Sequence, residues 1–376
     1  MLDRCFPADS RSAAASENPT ASSGDRVRSI DVARALGVIG VILGHAWYGS
    51  AAERIALSFD LPLFFFVGGY VYSEKYSERP SLAVVKRLRT LYFPFVRWGL
   101  FWLLLHNVLY EVGIYSSLTG YLDQPSRWYT WRDFVDASLR IVTFRGTEPM
   151  AGALWFLASL YLTNIFFALT SFAVLKMVGR PQEWVRAGMI GGLAAVGYLS
   201  NPLLGNRMYL GTSLVALLVF YGGVIYRRCR GYVPLRWELA AVMAVIVVAG
   251  NGGVYFGANS YRHPLLLLTV VPAGIYMCLW LSEKLQHNRF LQYVGTNTIF
   301  IIATHFLAFK AVSLIQMRVN GYPSYFLAKY PVITGENGWW VAYFVCGLFL
   351  PAGLKLAIDW LLRTIRAGRR SDLTPS

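Results

Sequence analysis

The sequence predicts an all-α integral membrane protein: a bundle of about ten transmembrane helices with the N- and C-termini in the cytoplasm. Hydrophobic residues make up 56% of the 376 residues and charged residues only 15%, and the mean hydropathy is +0.44. Soluble globular proteins carry about 25% charged residues, so this composition excludes a soluble enzyme and a disordered chain. In addition, the apolar residues form long runs separated by basic segments.

Ten apolar runs are candidates for helices that cross the bilayer, because a helix needs about 20 residues to span ~30 Å of hydrocarbon. They cover residues 30–49, 57–72, 91–110, 153–175, 184–200, 208–226, 237–256, 264–282, 291–315 and 338–362. The second run is short and contains Pro62, which indicates a tilted, kinked or broken helix.

The distribution of basic residues predicts the orientation of the bundle. With both tails and the even-to-odd loops on the cytoplasmic side, that side holds 22 Lys and Arg residues and the opposite side holds nine. Lys and Arg accumulate in cytoplasmic loops, so both termini are expected inside. The formal charge of +15 is therefore attributed to membrane topology, and we expect no nucleic-acid partner.

Three regions follow from these assignments. Residues 1–25 are polar and have no apolar core, which predicts a disordered cytoplasmic tail and not a signal peptide. Residues 26–362 form the transmembrane domain. Residues 363–376 form a basic cytoplasmic tail against the membrane face.

Two outer connections are long enough to have structure of their own. The segment 111–152 is rich in Tyr, Trp, Asp and Arg, and we expect an interfacial helix from about residue 131 to 142. Residues 316–337 form a second outer loop that contains Gly and Pro. Long loops in compact proteins are often lids or binding loops.

Ionisable side chains inside spans are costly and mark candidate functional sites. Arg34 and His45 are 11 positions apart in the first span, so they share one helical face and differ by about 16.5 Å in depth. Histidine is the side chain best suited to proton transfer near neutral pH. The alternatives are an interface arginine paired with Asp31 and a packing histidine.

Two further residues are expected at the depth of His45. Asp60 lies near the outer end of the second run, where its carboxylate can orient His45; a helix N-terminal role explains it equally well. His305 lies about 14 residues from the cytoplasmic end of the ninth run, and a packing role is the alternative for it too. No role is assigned to His106, His263 or His287, which are expected close to water.

The basic segment that precedes the third run is a candidate ligand site. Lys86, Arg87 and Arg89 can hold a phosphorylated ligand at the membrane surface, or they serve only to set the topology. No HExxH motif or paired cysteine spacing predicts a metal site, and no Walker A or GxSxG motif is present.

Five segments, in order, resemble the acyltransferase 3 family of integral-membrane O-acyltransferases. They are IDVARALGVIGVILGH, LPLFFFVGGY, KRLRTLYFPF, ALWFLASLY and VGTNTIFIIATHFL. The first resembles the family pattern I-D-x-x-R-x10-H at Asp31, Arg34 and His45. Bacterial exopolysaccharide acetyltransferases of the xanthan side-chain type are the members that the chain resembles. The chain departs from the family motifs at three positions. Gly68 stands where the family usually has Ser, and Asp60 stands where it often has His. Lys86 stands in place of one of two arginines in the basic segment.

This resemblance implies a function and its partners. Acetyl-CoA is the implied co-substrate, with no metal, and the implied acceptor is a glycan or a lipid-linked oligosaccharide in a bacterial inner membrane. Arg34, Lys86, Arg87 and Arg89 would hold the CoA phosphates, His45 would be the general base, and Asp60 and His305 would complete the site. Membrane lipid and a polysaccharide assembly machinery are the other expected partners. A polytopic transporter or flippase for a glycan precursor is the alternative, although no internal repeat supports it.

Overall fold

A computed structural model describes residues 27–121, 124–200, 207–250 and 252–371. Within these ranges six helices are long and apolar enough to cross a membrane. They are Arg28–Ala46, Pro149–Val178, Leu210–Tyr232, Pro264–Lys284, Thr298–Asn320 and Trp339–Ile365. The chain is thus an all-α membrane protein, as the composition predicts. The predicted tail 1–25 lies outside the described residues.

The helices and strands follow in a simple order. The first half contains α1 (Arg28–Ala46), α2 (Ala51–Ala56), α3 (Asp60–Tyr70), α4 (Lys75–Glu78), α5 (Pro80–Arg87), a π-helical turn (Leu88–Tyr92), α6 (Phe93–Leu104), α7 (His106–Glu111), β1 (Gly120–Tyr121), β2 (Gln124–Pro125), α8 (Trp131–Val142), a 3₁₀ turn (Pro149–Leu154) and α9 (Trp155–Val178). The second half contains α10 (Glu183–Leu199), a 3₁₀ turn (Arg207–Tyr209), α11 (Leu210–Cys229), a 3₁₀ turn (Arg230–Tyr232), α12 (Trp237–Ala249), β3 (Val254–Tyr255), a 3₁₀ turn (Phe256–Ala258), β4 (Ser260–Tyr261), α13 (Pro264–Lys284), α14 (Arg289–Thr296), α15 (Thr298–Asn320), a 3₁₀ turn (Ser324–Ala328) and α16 (Trp339–Ser371). Both strand pairs are antiparallel hairpins.

Four of the ten predicted spans correspond to shorter or interrupted helices. They contain α3, α6, α10 and α12, which have 11, 12, 17 and 13 residues. The run 91–110 starts within the π-helical turn and is divided again at Leu105, between α6 and α7. The run 291–315 begins within α14, which ends at Thr296 before α15 starts. At the C-terminus, α16 continues into residues 363–371.

Small residues let helices of the bundle pack with their backbones in close contact. One of these contacts is made by α1, and another joins α3 to α11. A Cβ added at Gly295 would lie only 1.8 Å from the carbonyl oxygen of Asp31, so α14 crosses directly against α1. A Cβ at Gly69 would lie 1.8 Å from the carbonyl oxygen of Phe220, where α3 crosses α11. Small residues permit such contacts in membrane helices.

Charged and polar groups join the helix ends at the side assigned to the cytoplasm. Arg228 bonds Glu74 at 2.5 Å and Glu183 at 2.7 Å, which links the end of α11 to the segment after α3 and the start of α10. Arg230 pairs with Glu283 at the end of α13. These pairs place the start of α10 and the segment after α3 beside the end of α11, and the end of α11 beside the end of α13.

The helix predicted from about residue 131 to 142 is confirmed with these bounds. Helix α8 spans Trp131–Val142 and begins with a capping box, in which Thr130 and Asp133 satisfy each other's backbone N–H groups. Trp131 and Leu139 are exposed, with relative exposures of 82% and 59%. This exposed apolar surface on an amphipathic helix is typical of a helix that lies at the membrane surface.

Candidate active site

Helix α1 carries both ends of the candidate site. It runs without interruption from Arg28 to Ala46, so Arg34 and His45 lie on one face about 16.5 Å apart along the axis, as predicted. Arg34 donates to Asp31 at 3.1 Å. Val38 and Val41 lie between them on that face and are buried, so the face points into the protein and not toward lipid.

The structure brings His45 and His305 into direct contact. Nε2 of His305 lies 3.2 Å from Nδ1 of His45, and the two rings stack with centroids 5.3 Å apart. The two histidines therefore lie at the same depth, as the sequence predicts. Phe306 covers both rings, with centroid distances of 4.9 Å to His45 and 3.9 Å to His305.

The hydrogen bonds define which nitrogen of His45 is free to accept a proton. Nδ1 of His305 lies 2.8 Å from the carbonyl oxygen of Ile302, which only accepts, so this nitrogen carries a proton. In a neutral His305, Nε2 is then an acceptor, and Nδ1 of His45 must donate to it. This assignment leaves the lone pair of a neutral His45 on Nε2, the state that a general base requires.

Asp60 has a different set of contacts from the one expected. Its Oδ1 accepts from the backbone N–H of Leu61 at 2.6 Å, and its Cβ packs where a side chain at Gly40 would lie. Among the described hydrogen bonds, none joins Asp60 to His45. The buried carboxylate is in the first turn of α3, where it interacts favourably with the positive end of the helix dipole.

The basic segment contributes one residue near Arg34. Arg87 is half-buried at the end of α5, whereas Lys86 and Arg89 are exposed. Burial lowers the pKa of the Arg87 guanidinium, the charge on Arg34 lowers it further, and Tyr76 and Tyr72 oppose this. Arg34 and Arg87 therefore share one electrostatic environment near the N-terminal end of α1, which suits an anionic ligand.

Lys310 is a functional candidate to which sequence reasoning gave no role. It lies on α15 with 2% relative exposure, and its ammonium donates to the carbonyl oxygens of Leu327 at 2.9 Å and Lys329 at 2.5 Å. The same ammonium lies 5.6 Å from the ring centre of Tyr330. The only sequence signal was a lysine inside an apolar run, which is costly unless it is paired.

The loop that Lys310 holds packs next to the residues that flank the histidine pair, and residues 321–338 are called the roof loop. Tyr330 packs on Phe306 with centroids 4.4 Å apart, and Phe306 contacts both histidines. At the other end of the loop, a Cβ added at Gly335 would lie 2.8 Å from the carbonyl oxygen of Ala46, next to His45. The predicted loop 316–337 is shortened at its start because α15 extends to Asn320.

Two further buried side chains fix the roof loop. Gln316 donates to the carbonyl oxygen of Thr334 at 3.1 Å. Tyr343 donates to Gln316 at 2.7 Å and accepts from the backbone N–H of Ile333. Three helix side chains thus bond to backbone groups of a loop that has almost no regular structure, and they keep it in one position.

We expect Lys310→Met to open the roof loop. A hydrogen bond to a charged group contributes about 1.5–3 kcal/mol, so the loss of two should raise the open population of the loop at least tenfold. Chymotrypsin cleavage near the exposed Tyr325 should accelerate by the same factor, because proteolysis follows the open population. Lys329→Met is the matched control, since it removes a lysine but keeps the carbonyl that Lys310 binds. Equal cleavage rates for the two variants would contradict this role of Lys310.

His106 corrects an expectation from the sequence. It was expected close to water, but its relative exposure is 1%. Its ring bonds Glu148 through Nδ1 and the carbonyl oxygen of Arg127 through Nε2, both at 2.9 Å, and stacks on Tyr129 with centroids 3.5 Å apart. This cluster joins the end of the third predicted span to the outer connection, and it does not contact His45 or His305 in the described contacts.

No group of three or more His, Cys, Asp and Glu side chains in the described ranges is arranged to hold a metal ion. A family model described as an acyltransferase domain, that of the acyltransferase 3 family, matches residues 27–356. No curated protein matches the chain. No solved structure matches it either.

Proposed function

The chain belongs to the acyltransferase 3 family, and we propose that it moves an acetyl group from acetyl-CoA to a sugar hydroxyl of an exopolysaccharide or of its lipid-linked repeat unit. A single observation carries the proposal beyond the general acyltransferase activity of the family. It is the hydrogen-bonded pair of His45 and His305, placed at the opposite end of one buried helical face from Arg34. That arrangement places a proton-accepting site and an anion-binding site about 16.5 Å apart along α1.

The reaction needs a base because a sugar hydroxyl is a poor nucleophile at neutral pH. In the proposed step, Nε2 of His45 takes the hydroxyl proton while the hydroxyl oxygen attacks the thioester carbonyl carbon. The tetrahedral intermediate collapses with cleavage of the C–S bond, and the proton passes from His45 to the CoA sulfur. The products are the acetyl ester and CoA, and His45 returns to its neutral state. Such general-base help contributes about 10²–10⁴ in rate.

Acetyl-CoA fits the separation of the two sites. The pantetheine arm is about 15–20 Å long, close to the rise of α1 between Arg34 and His45. Arg34 and Arg87, with Lys86 and Arg89 on the exposed side, would hold the phosphates and leave the thioester near His45. Val38 and Val41 are buried on that face, so entry of the arm requires this packing to open.

We further propose about ten crossings, with both termini on the cytoplasmic side of a bacterial inner membrane. The ion pairs of Arg228 and Arg230 support this topology, because they gather alternate helix ends at one side of the bundle. The pair of His45 and His305 then lies in the outer half of the membrane. This depth favours acceptor entry from the outer face, where a lipid-linked glycan and the polysaccharide assembly machinery would meet the enzyme.

Arg87→Ala should raise the KM for acetyl-CoA about tenfold and leave kcat nearly unchanged. The reason is that a lost charge-assisted bond to a phosphate costs about 1.5–3 kcal/mol of binding that is the same in ground and transition states. Arg79→Ala is the matched control, because Arg79 is exposed at the opposite end of α5. With acetyl-pantetheine, a donor without phosphates, Arg87→Ala and the unmodified protein should behave alike. A loss of equal size with both donors would contradict a phosphate contact.

The proposed function is tested by the acetyl content of the host's surface polysaccharide with the gene deleted and restored. Loss of one acetyl ester on deletion, and its return on restoration, is the expected result. If acetylation persists while polymer export or lipid-linked intermediates change, the chain acts as a transporter or flippase and the acetyltransferase proposal is wrong.

A further inference from the structure

A second concave site lies at the outer side of the bundle, apart from the histidine pair. It is a cavity of about 310 Å³ between the segment after α7 and the roof loop. Its lining residues include Tyr110, Tyr115 and Tyr325. Pockets that bind small molecules begin at about this size.

Both walls of the cavity are held in place by buried groups. On one side, the hydroxyl oxygen of Tyr115 accepts from the backbone N–H of Met150, and its ring packs on His106 with centroids 4.9 Å apart. On the other side, the Lys310 ammonium holds the backbone of Leu327, which lines the cavity. The cavity is therefore largely preformed, and binding to it costs little ordering entropy.

The lining selects for a neutral ligand with many hydroxyl groups. None of the residues that line the cavity carries a charged side chain, so the lining offers no counter-charge to an anion or cation. Tyr110, Tyr325 and three serines supply hydroxyls that both donate and accept, whereas the hydroxyl of Tyr115 is already bonded to Met150; the serines are Ser116, Ser117 and Ser324. Tyrosine rings also offer flat apolar faces, against which the C–H face of a pyranose ring packs.

The distance from the histidine pair defines which part of a glycan would reach the cavity. Met317 lines the cavity and lies twelve positions after His305 on the unbroken helix α15, which is about 18 Å along the axis. Several linked sugars span that distance, and one sugar does not. A sugar bound in the cavity cannot be the one whose hydroxyl meets His45.

We propose that this cavity binds a neutral sugar of the acceptor glycan, several residues away from the sugar that is acetylated. This inference rests on the proposed function, and it makes the acceptor an oligosaccharide and not a single sugar. It also gives the fixed position of the roof loop a second role, because the loop then forms a wall of the cavity and also packs on Phe306 beside the histidine pair.

The test compares two acceptors with a pair of matched variants of the full-length protein. The first acceptor is the repeating-unit oligosaccharide released from the host's surface polysaccharide and chemically de-O-acetylated; the second is the set of its constituent methyl glycosides. Tyr325→Ala removes a side chain that lines the cavity and whose ring centroid lies 5.1 Å from that of Phe326. Tyr322→Ala is the control, because Tyr322 stacks on Phe326 at 5.0 Å but does not line the cavity.

Tyr325→Ala should raise the KM for the oligosaccharide about tenfold and leave transfer to the methyl glycosides unchanged, while Tyr322→Ala changes neither. An unchanged KM for the oligosaccharide, or an equal rise for both acceptors, overturns the cavity assignment. Saturation-transfer NMR can measure binding of the same oligosaccharide in the absence of acetyl-CoA. This measurement separates the cavity proposal from the proposed acetyl transfer. Binding that weakens in Tyr325→Ala, with no transfer by the unmodified protein, would reject the proposed reaction and keep the cavity site. Absence of any binding would reject the cavity site.

Discussion

His45→Ala is expected to abolish acetyl transfer to within detection, a loss of about 10²–10⁴-fold, while the protein stays in the membrane. Only the proton acceptor is removed. The backbone of α1 keeps its hydrogen bonds, and alanine favours a helix. The buried face toward Arg34 also remains, so acetyl-CoA binding should persist. The loss should therefore appear in kcat and not in the KM for acetyl-CoA.

The measurement is the acetyl content of the surface polysaccharide when the deleted gene is restored as His45→Ala, with the amount of membrane protein determined in parallel. His287→Ala is the control histidine, because His287 is exposed and has no role in the site. Full glycan acetylation with His45→Ala would show that another group is the base.

Local periodicity explains which parts of the site were predictable. The relation between Arg34 and His45 depends only on 3.6 residues per turn and on an uninterrupted α1, and the structure has both. The depth of His305 followed from counting residues in an apolar run.

Contacts between distant segments were not predictable in the same way. Asp60 and His305 were both expected at the depth of His45, and depth alone does not distinguish them. The rotation of each helix about its axis decides the contact, and it turns His305 toward His45, while the carboxylate of Asp60 accepts from the N–H of Leu61. That rotation depends on packing across 260 positions of sequence, which periodicity does not contain.

The role of Lys310 was hidden for a different reason. Its partners are the backbone carbonyl oxygens of Leu327 and Lys329, and every residue has a carbonyl, so no side-chain motif identifies them. A lysine in an apolar run predicts only that some partner exists. The same limit applies to His106, whose second partner is the carbonyl oxygen of Arg127.

The second large effect is expected at His305, which acts through His45 as a positioning residue. His305→Leu removes the acceptor for the Nδ1–H group of His45 and leaves it buried without a partner, at a cost of about 1–3 kcal/mol. His45 can then also adopt the tautomer with the proton on Nε2, which cannot act as a base. We expect kcat to fall about tenfold to a hundredfold, since each 1.4 kcal/mol is a factor of ten, with an unchanged KM for acetyl-CoA.

The matched variant His305→Gln separates orientation from packing. Glutamine is close to leucine in size, but its side-chain oxygen can accept from Nδ1–H of His45, as Nε2 of His305 does. His305→Gln should therefore recover most of the kcat lost in His305→Leu. Since the chain has only five histidines, ¹⁵N chemical shifts of labelled protein can identify the His45 tautomer directly. In His305→Gln its Nε2 should remain unprotonated, and in His305→Leu the two tautomers should mix. Equal activity and equal tautomer populations in both variants would show that His305 only fills space beside His45, and the proton-accepting state of His45 would then have to be set by the substrate itself.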